Sequence, residues 1–138
     1  MSPSPLIANL RDEHVHMRAV LEAVRRAGIA TPEGQRQLAH ARQLIVDHLR
    51  HEDVHLYPAL RACPQTQQLA NEYADQMQEL SREIMAFFHG MEHERDDLVF
   101  ARGFGKLMGT LNKRWTREEV RLYPAYDAHC GDTLAAAG

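Results

Sequence analysis

The 138-residue chain predicts an all-α fold, an up-down-up-down antiparallel four-helix bundle, on three observations. Apolar residues recur at alternating steps of three and four along four separate segments, the period of a helix with one buried face. No segment alternates apolar and polar residues with the period of two that a half-buried strand requires. The breaks between segments are short and rich in glycine, proline and polar residues, and short connections make consecutive helices antiparallel neighbours.

The first helix is carried by Ile7, Leu10, His14, Met17, Leu21 and Val24, and Gly28 with the run Thr31-Pro32-Glu33-Gly34 separates it from the second. The second stripe reads Leu38, Ala41, Ile45, His48, Glu52, His55, and Pro64 with its polar neighbours marks its end. Tyr73, Met77, Leu80, Ile84, Phe87 and Met91 form the third stripe, and the region from Gly90 to Gly105 is expected to hold the connection that follows. The fourth stripe is Phe104, Leu107, Leu111, Arg114, Glu118. Pro58 and Pro124 fall inside the expected last turns of the second and fourth helices. A proline ring clashes with a preceding carbonyl there and offers no amide hydrogen, which predicts a kinked or narrowed end.

Length and composition set the class of protein. A chain of this size suits one domain over residues 1–138 with a core of its own. Hydrophobic residues make up 44%, charged residues 25%, and the net charge is -3, so the basic excess of a nucleic-acid binder is missing. No segment approaches the roughly 20 apolar residues of a membrane span, and the amino terminus lacks the basic and apolar runs of a secretion signal. A cytoplasmic location is the expectation. Cys63 and Cys130 each follow a Tyr-Pro-Ala segment, and they read first as reduced bystanders, second as a redox pair.

The polar residues on the apolar stripes carry the chemistry. His14, His48, Glu52, Arg114 and Glu118 all fall on inward positions, and such groups are rarely buried without partners. His48 and Glu52 stand one turn apart on one helix face, a workable pair of ligands for iron, manganese or zinc. His14 and Glu118 supply inward groups from two other helices. His16, His40 and His51 lie off the stripes and read as solvated, and His89 and His93 belong to a charged turn with Glu92 and Glu94. His55 reads first as a hydrogen-bonded histidine at the end of the core and second as an extra ligand. Tyr57 and Tyr123 read first as packing residues with wet hydroxyls and second as side chains lining the site. Met77, Met85, Met91 and Met108 are expected as core filler, with Trp115 covering one edge of the bundle.

Residues 47–60, DHLRHEDVHLYPAL, are partly repeated 66 positions later as KRWTREEVRLYPAY, where every histidine is lost. With Asp12-Glu13-His14 on the first helix, His48 to Asp53 and Leu56-Tyr57-Pro58 on the second, and Glu118-Glu119 and Leu122-Tyr123-Pro124 on the fourth, nearly the whole chain resembles the hemerythrin-like, or HHE cation-binding, family. The resemblance implies a bundle holding two irons bridged by one carboxylate from helix two and one from helix four. It assigns His14 and His48 as terminal ligands and Glu52 and Glu118 as bridges. Two positions depart from the family pattern: Met77 stands where helix three supplies histidine, and Arg114 stands four residues before Glu118 where helix four supplies another. Both losses fall on the same iron.

Three readings follow. The first is a metal-binding protein with one iron in the surviving half-site, Arg114 taking the place of the other and neutralising Glu52 and Glu118. By family resemblance it would serve sensing, or a response to metal, dioxygen or nitric oxide, rather than turnover. In the second, Arg114 replaces metal altogether and the bundle is a metal-free module for a protein partner, since a fixed positive charge beside the site weakens cation binding. The third is a mono-iron, oxidase-like enzyme, although no nucleophile arrangement supports it.

Overall fold

Helix α1 (Pro5–Ala27) begins where the Ser4 hydroxyl accepts from the Ile7 amide, with Pro5 in the first turn, and it stops at Gly28, whose φ of 68° is costly for any residue with a Cβ. Thr31 caps α2 (Pro32–His51) in the same way by accepting from the Gly34 amide. Pro32, Glu33 and Gly34 are thus its first turn rather than linker. The computed structural model describes residues 4–130, and among them there is no strand.

The second rod continues without interruption through a π-helical turn, π1 (Glu52–Leu56), into α3 (Tyr57–Ala62). The fourth does the same, from α5 (Asp97–Arg117) through π2 (Glu118–Leu122) into α6 (Tyr123–His129). Each π turn precedes a proline. The amides of Tyr57 and Tyr123 donate to the carbonyls of Glu52 and Glu118, five residues back, and the widened turn carries the chain past a residue that has no amide to give. The expected narrowing at Pro58 and Pro124 is therefore a widening.

The third rod is α4 (Gln67–Met91), and residues 92–96 lead into α5, whose first turn is capped by the Asp96 carboxylate accepting from Leu98 and Val99. Gly90 lies in α4, and Gly103 and Gly105 lie in α5, so the third connection is much shorter than the spacing of glycines suggests. On α4 the buried face runs Tyr73, Met77, Ile84, Phe88, Met91, and Phe87 is only half-buried.

Packing closes the four rods into an up-down-up-down bundle. α1 lies along α2, α3 against α4, α4 against α5, and α1 also touches α5 and α6. The Ser4 amide donates to the Asp127 carboxylate at 3.1 Å, joining the start of the first rod to the end of the fourth. The core has two apolar parts. One, at the turn joining α1 to α2, is built from Met17, Leu21, Ile45, Ile84, Phe104, Leu111 and their neighbours. The other, built from Ile7, Leu10, Leu56, Tyr57, Tyr73, Tyr123 and Tyr126, lies at the opposite end. Between them runs a layer of buried polar side chains.

Candidate metal centre

Three of the four rods feed this layer. His14 sits on α1 between Leu10 and Met17, His48 occupies the last turn of α2, and Glu52 and Glu118 open the two π turns. None of the four is more than 2% exposed, and each offers a ligand atom within 4.8 Å of the others. The geometry brings together the four residues expected to meet.

The two imidazoles are oriented from outside. His14 Nδ1 lies 2.6 Å from Glu119 Oε2, and His48 Nδ1 lies 2.7 Å from Glu13 Oε1. Burial raises the pKa of both carboxylates, but hydrogen bonds outweigh it, from His48 and His51 to Glu13 and from Arg18 and His14 to Glu119, so both stay below the usual range. An ionised carboxylate only accepts. Each Nδ1 therefore carries a proton, and both Nε2 atoms face inward, 3.2 Å from one another. Two ring nitrogens at that separation need a proton or a cation between them. Ligands held about 2.0–2.1 Å from a common metal ion at right-angle to tetrahedral angles stand roughly 2.9–3.4 Å apart. The Nε2 pair falls in that window, as does the 3.1 Å between His14 Nε2 and Glu118 Oε1, while His48 Nε2 to Glu52 Oε2 is longer at 3.6 Å.

The two carboxyl groups are pushed in opposite directions. Burial, and then the charge of Glu118, push the Glu52 pKa well above its ordinary value, which favours its neutral form. Burial also opposes ionisation of Glu118, but its hydrogen bond with His14 and the charge of Arg114 hold it below the usual range. Tyr123 donates from its hydroxyl to Glu52 Oε2 at 2.8 Å, leaving Glu52 Oε1 buried with no hydrogen-bond partner. A buried, unpaired carboxyl oxygen beside two converging imidazole nitrogens is the donor set that a hard or borderline divalent cation satisfies.

Arg114 fills the side of the layer facing α4. Its Nε donates to Glu118 Oε2 at 3.2 Å, its Nη2 to the Tyr57 hydroxyl at 2.9 Å and the Tyr73 carbonyl at 3.0 Å, and its Nη1 to Gln76 Oε1 at 3.2 Å. It does not bridge the two glutamates as expected. It pairs with Glu118 alone and reaches Glu52 only through its field. Met77, where the family pattern has a histidine, is buried among apolar side chains.

Tyr57 and Tyr123 are fully buried, and their hydroxyls belong to the polar layer rather than to solvent. His55 is neither ligand nor core. It is exposed and stands edge-on to His51, because the widened π1 turn hands the inward face to Leu56 and Tyr57. Trp115 is buried and stacks on His14 with ring centres 5.3 Å apart. Glu13 and Glu119, the residues that set the imidazole tautomers, had no role assigned from sequence. Their signal was position, one carboxylate directly before His14 and one directly after Glu118.

No helix among the described residues is long and apolar enough to cross a membrane. Neither a curated protein nor a solved structure matches this chain significantly. The family model for the hemerythrin HHE cation-binding domain does match, over residues 6–126, from the first turn of α1 to the last turns of α6. With that match spanning most of its length, and the His and Glu positions that motivate the family's name gathered in one buried layer, the chain belongs to the hemerythrin HHE cation-binding family.

Proposed function

We propose that this protein holds a single iron ion through His14, His48, Glu52 and Glu118, and that it serves in sensing, or in a response to metal, dioxygen or nitric oxide, rather than in turnover. The observation that carries this reading is the pair of inward Nε2 atoms 3.2 Å apart beside the unpartnered Glu52 Oε1. A bound iron would supply a redox-active Lewis acid with open positions. The protein's own contributions are distinct from that chemistry. Glu13 and Glu119 fix the imidazole tautomers, the Tyr123 hydroxyl holds one oxygen of Glu52, and Trp115 together with the two apolar clusters keeps water from the layer. Arg114 supports one ion over two, because its guanidinium, fixed on Glu118, puts a permanent positive charge on the side of the layer where the family's third and fourth histidines are missing.

The same ion pair favours a second reading, a metal-free bundle that docks a protein partner, with Arg114 supplying the cation. Elemental analysis of untagged protein after anaerobic iron loading separates the two. About one iron per chain, lost in His48→Ala while the helical content stays unchanged, is expected for the half-site. No metal in either protein would overturn it in favour of the metal-free module.

A further inference from the structure

Outside the polar layer, the structure brings together the two cysteines. Cys63 caps the end of α3 and Cys130 the end of α6, so each thiol closes one of the two rods that carry the buried glutamates. The Cys63 thiol donates to the carbonyl of His129, the residue beside Cys130, at 3.4 Å. Thr66 Oγ1 lies 3.6 Å from Cys130 Sγ and 3.3 Å from the Cys63 carbonyl, packing the two caps against one hydroxyl. Through His129 and Thr66 the two cysteines are held side by side, and neither is part of a disulfide.

We propose that Cys63 and Cys130 are a reversible dithiol–disulfide site, oxidised by a hydroperoxide, that ties the end of the second rod to the end of the fourth. The order of events follows from access. Cys63 reaches solvent, whereas Cys130 is 4% exposed and packed in the tyrosine-rich cluster. Burial alone would raise the Cys63 pKa, but contacts with Gln65, Thr66 and the Cys130 thiol lower it, while burial raises that of Cys130. The thiolate, the nucleophilic form, thus belongs to the accessible partner. The Cys63 thiolate attacks the peroxide, the O–O bond breaks, and the leaving oxygen departs as water or an alcohol after taking a proton. The resulting sulfenic acid is attacked by Cys130, the S–O bond breaks, and hydroxide leaves as water with the Cys130 proton. Two thiols lose two electrons, and one hydroperoxide is reduced. Access of a thiol reductant to Cys63 makes the bond reversible, unlike a buried structural disulfide.

The test treats the full chain, as purified, with hydrogen peroxide and maps its thiols by mass spectrometry without reduction. Both thiols are expected to disappear together, with a Cys63–Cys130 peptide cross-link inside one chain and recovery on adding dithiothreitol. In Cys130→Ser the reaction should stop at a sulfenic acid on Cys63 that dimedone traps, and in Cys63→Ser the Cys130 thiol should survive the same exposure. Cross-links only between chains, over-oxidation of Cys63 with Cys130 left reduced, or two unreacted thiols would each overturn the proposal. The mapping of the unmodified sequence stands by itself if a serine variant does not fold.

Discussion

Glu13 and Glu119 act at the scale of single side chains, and they cross over: the carboxylate on α1 orients the histidine of α2, and the carboxylate on the fourth rod orients the histidine of α1. Glu13 also accepts from His51 at 2.7 Å, and Glu119 is held by Arg18 at 2.9 Å, so both are fixed before any ion arrives. Replacing either by glutamine keeps the volume but removes the charge that favours the Nδ1 proton. Glu13→Gln and Glu119→Gln are each expected to weaken metal binding roughly 10- to 100-fold with little change in the fold, read by competition with a chelator. Arg114 tests the other side of the layer. Arg114→Ala leaves Glu118 buried without its cation, which should cost the metal-free protein about 3–5 kcal/mol in urea unfolding. Added iron should restore part of that loss, whereas a bundle unable to bind metal would recover nothing. The inward positions of the candidate ligands were legible from helical spacing, since burial on a helix follows its period. The partners of their outer nitrogens were not, because those lie on other helices.

At the scale of elements, the two π turns place the carboxylates. In each, the residue five ahead is hydrogen-bonded to the first, and this brings Tyr57 and Tyr123 onto the faces of Glu52 and Glu118. Each tyrosine then serves the opposite rod: Tyr123 donates to Glu52, and Tyr57 accepts from the arginine that pairs with Glu118. The prolines announced an irregularity in the sequence, but an α-helical count carried through them puts His55 on the wrong face. The glycines divide by space. A Cβ at Gly34 would collide with the Gly28 carbonyl oxygen, whereas Gly105 and Gly109 are mid-helix with nothing within 4 Å. Gly34→Ala is expected to destabilise the turn between α1 and α2 by at least about 2 kcal/mol, and Gly105→Ala and Gly109→Ala to stabilise by roughly 0.5–1 kcal/mol each, as measured by denaturant unfolding.

Across the whole molecule, a buried polar layer between two apolar clusters couples proton, metal and stability. Burial, and then Glu118, raise the Glu52 pKa in the folded chain, so its neutral form is favoured on folding. Its contribution to metal-free stability is therefore full below the unfolded carboxyl value of about 4.3 and is lost as pH rises through the folded value. Metal binding runs the other way, because the ligand is the carboxylate, and apparent affinity should rise with pH over the same window as protons are released. Glu52→Gln mimics the neutral form. It should raise the melting temperature of the metal-free protein near neutral pH by a few degrees, about 1 kcal/mol, and abolish metal loading. An unchanged or lowered melting temperature would mean that Glu52 is ionised in the metal-free fold.

The all-α bundle, its four stripes and the candidate donor set could be read from the chain because periodicity and rare inward charges are local properties of a helix. Met77 and Arg114, standing where two histidines are missing from the family pattern, were equally plain. Tertiary structure decided the rest: that Arg114 grips Glu118 without bridging to Glu52, that Glu13 and Glu119 orient the two histidines, and that the Cys63 thiol reaches the carbonyl of the residue beside Cys130. Each of these depends on where one rod stands against another, and that register follows from packing two apolar clusters around a polar layer. No spacing along a single helix encodes it.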